Sequence, residues 1–346
     1  MINSTIIIPT AGRIDVLIKA IESILRLDLQ KNNSELIIVD NNSDPLMSQI
    51  LMQHCIELQG RLRYVHEPSP GLTAARHRGA RESNGEILIF LDDDVEVSEG
   101  WLDTIHKGFL DDDVVMIGGP SIPKFDGSIP SWFWSFFTST PYGGWMCSWL
   151  SLSDIGSDVK GVDPNYIWGL NFSIRKSVLY ELGGFHPDLV PKNYQCWQGD
   201  GETGLTMKVR DSGRRADYLK GALVFHQCGQ DRLNLEYFKK RAFYHGVSDS
   251  YANIRSRNNK SKLIKSNSPQ PFFDSLRTLK ANFKKMLINF CLDKVYAVNS
   301  GSPQIMTKYA ERQGWLFHQE QVKMNPSLLP WILRDNYFDT DIRELK

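Results

Sequence analysis

The stretch Ile87-Leu88-Ile89-Phe90-Leu91-Asp92-Asp93-Asp94-Val95 constrains the fold more than any other part of the chain. Five apolar residues run without alternation into three carboxylates. A short apolar run of this kind reads as a strand buried on both faces, as in a parallel sheet. Open parallel sheets bind ligands just beyond the carboxyl ends of their strands, which is where these acids fall. Side chains alternate along an extended chain, so Asp92 and Asp94 are expected to point the same way. Like charges held together repel, and a hard cation with oxygen ligands relieves the repulsion. A solvated acidic turn is the plainer alternative. The chain supplies its own control: Asp111-Asp112-Asp113 is an equal triplet with no apolar strand in front of it, and it is expected to be loop.

The same pattern recurs upstream. Thr5-Ile6-Ile7-Ile8-Pro9-Thr10 is a β-branched strand closed by a proline, with Arg13 in the turn beyond. Asp15 to Leu27 carries a helical stripe of Val16, Leu17, Ala20, Ile21, Ile24 and Leu25. Glu35-Leu36-Ile37-Ile38-Val39-Asp40 is a second buried strand ending on an acid. The turn residues Asn41-Asn42-Ser43-Asp44-Pro45, a helix to about Gln59 and a strand over Arg63 to His66 follow. Pro70-Gly71-Leu72 then opens another helix, which Asn84-Gly85 closes. Strand and helix in alternation predict an α/β fold, a right-handed, doubly wound, mostly parallel sheet. Asp40 has two readings of equal weight, a carboxylate that accepts hydrogen bonds from a nucleoside and a turn-forming aspartate. No G-x-G-x-x-G follows the first strand, which argues against a nicotinamide or flavin site.

Composition excludes some classes. Lys plus Arg and Asp plus Glu are both 40, so no global basic field points to nucleic acid. The 5 cysteines are scattered and lack C-x-x-C spacing, which argues against a disulfide framework or a zinc site and for a reducing compartment. The N-terminus enters a strand at once, without the basic and long apolar regions of a signal peptide, so a cytoplasmic location is expected. The length of 346 residues suits two domains, or one large domain with an extension.

From Gly127 to Ser153 no residue is charged, and Trp132, Phe133, Trp134, Phe136, Phe137, Tyr142, Trp145 and Trp149 crowd the run. Pro130, Pro141 and Gly143-Gly144 argue against a spanning helix, which leaves a flap or acceptor wall, or a membrane-interface loop. Tyr166 to Arg175 reads as a strand with Gly169 and Asn171 near its start. Gly169 allows close approach, and Asn171 offers both donor and acceptor. In Gly199-Asp200-Gly201-Glu202-Thr203-Gly204 two carboxylates sit at a helix start among three glycines. Capping accounts for one acid; a general base for an acceptor hydroxyl accounts for the pair. Ala222 to His226 is an apolar strand expected to end on that histidine.

Taken together, these residues resemble the family 2 inverting glycosyltransferases of GT-A fold, from about Ile6 to about Ser250. The likeness rests on Ile8-Pro9-Thr10 with Arg13, Val39 to Asp44, Gly71 to Arg76, Leu91 to Asp94, Gly169-Leu170-Asn171, Gly183-Gly184-Phe185 and Gly199 to Glu202. It is completed by His226 with Asp231-Arg232-Leu233, Tyr237-Phe238 and Arg241-Ala242. The resemblance implies a nucleotide-sugar donor, UDP- foremost, a glycan or lipid-linked glycan acceptor, and a divalent metal, Mn²⁺ or Mg²⁺. By the same likeness Pro9, Thr10, Arg13, Asp40, Arg76, Asp92 and Asp93 would hold the nucleotide. Asp94, Asp92 and His226 would hold the metal, and Trp168, Gly169, Asn171 and Gly184 would approach the sugars. Glu202 aligns with the family's base. The family's usual Glu-Asp pair is here Gly201-Glu202, which keeps Asp200 as the second candidate, and its usual Asn after Ala-Arg is here His77.

The expected organisation is a nucleotide-sugar half over residues 1–120, an acceptor half of the same domain over 121–250, and a mainly helical extension over 251–346. Arg255 to Pro271 reads as a linker or exposed loop. Phe273 to Phe290 shows helical spacing with Arg277, Lys280, Lys284 and Lys285, which suits either packing on the catalytic domain or peripheral contact with an anionic membrane. Gln304 to Lys323 reads as helix, and the tail beyond shows no task. A nucleotidyltransferase also joins a parallel sheet, acids and a metal, but leaves the acceptor-side motifs unexplained. A non-catalytic nucleotide-sugar or glycan binder leaves the intact set of acids unexplained.

Overall fold

Buried β-branched runs build the centre of the computed structural model, which describes residues 3–42, 48–49, 51, 60–266 and 301–345. The strands are β1 (Ser4–Thr10), β2 (Ser34–Asp40), β3 (Leu62–His66), β4 (Ile87–Leu91), β5 (Val95–Val97), β6 (Val114–Gly118) and β7 (Ser121–Asp126). They continue as β8 (Thr138–Ser139), β9 (Trp145–Cys147), β10 (Leu152–Asp154), β11 (Val159–Lys160), β12 (Asn171–Arg175), β13 (Arg215–Tyr218) and β14 (Val224–Gly229). The helices are α1 (Ile14–Leu25), α2 (Leu72–Glu82), α3 (Trp101–Gly108), α4 (Lys176–Glu181), α5 (Glu202–Asp211), α6 (Leu235–Ser266), α7 (Pro303–Met324) and α8 (Leu328–Ile332).

Eight strands form the main sheet in the order β11-β13-β6-β12-β4-β1-β2-β3. β1 lies parallel to β2 and β4, and β2 parallel to β3, as the alternation of strand and helix predicts. Beyond β4 the sheet is mixed, because β12 runs antiparallel to both β4 and β6. All of β1 and β2 is buried, and the two sides of each strand feed different cores. Ile6, Ile8 and Ile38 pack with Leu17, Ile21 and Ile24 of α1; Ile7, Ile37 and Val39 pack on the opposite face with Ala75 and Ala80 of α2. Each such aliphatic side chain contributes about 1.5–3 kcal/mol when fully buried. Gly79 lets α2 sit directly on the sheet, since a Cβ there would run into the side chain of Ile7.

A second sheet, β5-β14-β7-β10-β9-β8, has no counterpart in the sequence reading. Four of its strands hold two or three residues, too few to show a period. The aromatic run makes up much of it: Phe133, Phe136, Cys147, Leu150 and Leu152 form a core with Cys228, Leu233 and Phe238. β14 begins at Val224 and continues to Gly229, so His226 lies inside the strand rather than at its end. The cause is that β14 keeps pairing with β7 as far as Gly229 and Asp126.

The expected linker after Arg255 is helix as far as Ser266, because α6 runs through it without a break. No proline intervenes before Pro269 to stop it. The same helix passes unbroken through position 250. α7 packs on α6 with backbones close: a Cβ on Gly246 would strike the carbonyl of Glu311, and one on Gly314 that of Phe243. The tail, to which the sequence assigned no task, folds back against α2 and α4. Phe338 stacks on both His77 and Tyr180 with ring centroids 4.3 Å apart, and Arg81 donates to its carbonyl at 2.9 Å. The helical segment expected over Phe273 to Phe290, and most of the one over Pro45 to Gln59, lie outside the described residues. Among the described residues no helix is long and apolar enough to cross a membrane. Cys147, Cys196 and Cys228 are free thiols.

Candidate active site

β4 delivers the acid triplet to the carboxyl edge of the sheet, but not in extended form. The strand ends at Leu91, and Asp93 and Asp94 lie in a turn before β5. The alternation expected of Asp92 and Asp94 therefore does not govern the site. Asp93 and Asp94 both reach Arg13, whose Nη1 donates to Asp94 Oδ2 at 2.8 Å and whose Nη2 pairs with Asp93. Thr10 donates to Asp93 Oδ2 at 2.8 Å. Arg232 pairs with Asp94 from the other side. Asp92 remains partly open and takes a hydrogen bond from Arg76 at 3.2 Å.

These contacts set the charges. Burial pushes the Asp93 carboxyl up to about 6, against the pull of Arg13. Burial pushes Asp94 upward too, but His226, Arg232 and Arg13 outweigh it and hold that carboxyl well below the usual range. His226 Nε2 stands 3.4 Å from Asp94 Oδ1, an oxygen that is buried and has no hydrogen-bond partner. A carboxylate oxygen and an imidazole nitrogen facing one another, one of them unsatisfied, fit a shared cation. Arg232 Nη1, now 2.6 Å from the same nitrogen, would have to yield it.

Glu202 forms the opposite wall. Gly201, with φ +56°, turns the chain into α5 and presents Glu202 in its first turn. Glu202 Oε1 accepts from the backbone N–H of Gly169 at 3.2 Å, and Oε2 lies 3.6 Å from Arg76 Nη1. Buried Arg76 thus ties Glu202, Asp92 and, at 3.0 Å, the carbonyl of Gly169 into one cluster. A Cβ on Gly169 would fall 2.6 Å from Arg76 and 3.0 Å from Glu202, so the close approach at this glycine is by those two side chains. Asp200 is committed elsewhere: buried, it shares a 2.5 Å hydrogen bond with His186 Nδ1.

One cleft is lined by Arg13, Arg76, Asp92, Asp94, Glu202 and His226. An adjoining cavity is lined by Pro9, Thr10, Arg13, Asp92 and Asp93. Four other predicted residues, Asp40, Trp168, Asn171 and Gly184, do not line either cavity. Asp40 is fully buried, accepting from the Asn42 N–H at 2.8 Å and the Tyr64 hydroxyl at 2.5 Å, as a turn-forming aspartate does. Its neighbour Asn41 lines the cavity and pins the turn before α2 by accepting from Gly71 N–H at 2.9 Å. Buried Asn171 accepts from Trp101 and donates to the Ala222 carbonyl. Gly184, with φ +75°, passes beside His77. Trp168 is half-buried against the core under α1, with its indole N–H on the Asn165 carbonyl.

His77, where the family pattern has Asn, is a strut. Its Nε2 accepts from the Phe185 N–H at 2.9 Å, and burial lowers its pKa to about 3, so it stays neutral. The sequence reading gave no part to Asp188 or Leu189, which line the cleft beside Trp149 of the aromatic run, and quoted Arg232, Tyr237 and Arg241 without a role. Leu189 left a signal only in the backbone: φ +46° in a non-glycine residue.

The sequence model of Glycosyl transferase family 2 matches residues 5–183. The glucosyl-dolichyl phosphate glucuronosyltransferase of Haloferax volcanii is 23% identical over 219 residues, 61% of this chain and 64% of that protein. N-acetylgalactosaminyltransferase 7 of Drosophila melanogaster is 31% identical over 245 residues, 65% of this chain and 39% of that protein. The aligned regions thus span less than two-thirds of either relative. The mannosyltransferase PcManGT of Pyrobaculum calidifontis, solved in complex with GDP-Man and Mn²⁺, superposes with a TM-score of 0.52 at 15% identity, covering 96% of this chain and 85% of that one. That likeness is one of fold.

Proposed function

The chain belongs to glycosyl transferase family 2 and has the GT-A fold, and on that premise we propose that it moves a sugar from a nucleoside diphosphate-sugar, UDP- foremost, to a hydroxyl of a glycan or lipid-linked glycan. The observation that carries the reading is the single cleft shared by Asp92, Asp94, His226 and Glu202, residues from three separate stretches of chain. The lipid-linked class of acceptor is supported by the name of the Haloferax relative. The reading carries with it a cytoplasmic location, with peripheral contact at the membrane face for a lipid-borne acceptor.

In this scheme residues 1–120 bind the donor, with Pro9, Thr10, Arg13, Arg76, Asp92 and Asp93 around the nucleotide and diphosphate. Asp40 serves by fixing the turn that carries Asn41. Residues 121–250 supply the acceptor side, and α7, α8 and the tail beyond them pack against the domain. Asp94 and His226, with Asp92, would hold a divalent cation, which when bound neutralises the diphosphate as it departs. Arg13 and Arg232 already gather positive charge at that point. Glu202 takes the proton of the acceptor hydroxyl while that oxygen attacks the anomeric carbon from the face opposite the diphosphate. One displacement inverts the configuration. A positioned base is worth typically ~10²–10⁴-fold.

Turnover of UDP-, GDP- and dTDP-sugars with Mn²⁺ or Mg²⁺ tests the reading, and NMR of the product's anomeric centre tests the single displacement. Inversion is expected; retention would reject it. Glu202→Gln is expected to abolish transfer. Asp200→Asn, which removes only the partner of His186, is expected to act through stability. The opposite pattern would move the base to Asp200.

A further inference from the structure

The loop after Gly184 carries a third acid into the cleft. Asp188 lines the same two cavities as Glu202. Its Oδ2 lies 2.7 Å from where a Cβ on Gly201 would be, so the residue before Glu202 must be glycine for the two acids to share this corner. Its Oδ1 is fixed, accepting from Gln198 Nε2 at 2.6 Å and from Leu189 N–H at 2.8 Å. Gln198 is itself buried, with its Oε1 on the Val190 N–H at 3.3 Å. Leu189 holds its positive φ next door, a conformation that costs a leucine about 1–2 kcal/mol and persists only where the surroundings impose it. A buried amide and a strained backbone therefore hold the Asp188 carboxylate in the cleft that Glu202 also lines.

We propose that Asp188 is a positioning residue for the acceptor-side base: its carboxylate and that of Glu202 form a pair, and the proton that Glu202 takes from the acceptor hydroxyl is shared between them. The inference rests on the glycosyltransferase reading for its chemistry, and on the loop geometry for the pair. As the new glycosidic C–O bond forms and the anomeric carbon–phosphate oxygen bond breaks, the acceptor's O–H proton passes to the pair. The pair goes from two negative charges to one. Two like charges in a partly buried corner bind a proton more firmly than either alone. The Asp188 carboxyl is accordingly raised to about 6, first by burial and then by the charge of Glu202, with Gln198, Arg241 and Arg76 opposing. Asp200 and His245 also line one of the cavities; Asp200 is spoken for by His186, and His245 by Glu311.

The test has two arms on the full chain. Carboxyl-¹³C titration of Asp188 in the unliganded protein is compared between wild type and Glu202→Gln. A midpoint near 6 that falls in the variant supports the pair, and one that does not move overturns it. The second arm is the pH–rate profile of UDP-sugar hydrolysis or transfer for Asp188→Asn, Asp188→Glu and Gln198→Ala. For Asp188→Asn the acidic limb is expected to move to lower pH by roughly one unit, with kcat several-fold down and donor KM unchanged. Asp188→Glu is expected to restore part of the loss, and Gln198→Ala to show a smaller shift in the same direction. Loss of activity with an unmoved limb would mean that Asp188 only holds the loop, and would overturn the proposal. A wild type without activity would reject the glycosyltransferase reading, while the titration would still decide the pair.

Discussion

Asp92-Asp93-Asp94 and Asp111-Asp112-Asp113 are chemically the same peptide, yet the fold treats them oppositely. The first follows a buried strand, so its second and third acids are carried below the surface, where Arg13, Thr10, Arg232 and His226 surround them. The second follows α3 and lies exposed before β6. It too finds arginines, Arg215 at 2.8 Å from Asp111 and Arg175 at 3.6 Å from Asp112, but in water such pairs are weak. The difference lies in what precedes and what encloses the acids. A carboxylate becomes an instrument when the chain removes its solvent and then fails to satisfy it completely, as at Asp94 Oδ1.

The largest expected break in this comparison is Asp94→Asn, which should lower transfer by about 10²–10³-fold or more, read as turnover with the fold checked by circular dichroism. Arg13→Ala comes next: it takes away the guanidinium that bridges Asp93 and Asp94, and should raise donor KM by about tenfold, since a charge-assisted bond is lost. Acid sharpens the contrast. The folded Asp94 carboxyl sits below its unfolded value, so its contribution to stability is whole above about pH 4 and fades as pH falls toward the lower folded value. Thermal melts from pH 5 to 2 should therefore show a shallower acid decline in Asp94→Asn than in wild type. Asp93, raised to about 6, has the reverse sign: it costs stability as pH rises from about 4 to 6, and Asp93→Asn should relieve that cost. Smallest of all, Asp112→Asn should leave turnover unchanged and the melting temperature within about 1–2 °C.

Much of this could be read in advance, and the misses have physical causes. Long apolar runs announced β1, β2 and β4, because burial on both faces leaves a pattern in the letters. Asp92, Asp93 and Asp94 followed from the strand that leads into them. The second sheet did not, since strands such as β8 and β9 are made by their neighbours rather than by their own two or three residues. Asp40 and Asn171 looked like ligand groups because a polar residue at a strand end has the same letters whether it meets a nucleotide or its own backbone. Asp188 and Leu189 were invisible because their importance lies in a loop conformation, set by Gln198 and Gly201. Arg255 to Ser266 misled in the other direction: polarity suggested a loop where α6 continues as helix, with no proline to stop it.

The stacking of Phe338 on His77 has a consequence for how the protein comes into being. Arg81, four residues along the same helix, donates to a carbonyl 257 positions later. During synthesis the helix that opens beside the nucleotide cavity leaves the ribosome long before the ring that backs it has been translated. A nascent chain therefore carries this helix without the ring that stacks on His77 until residue 338 has been added.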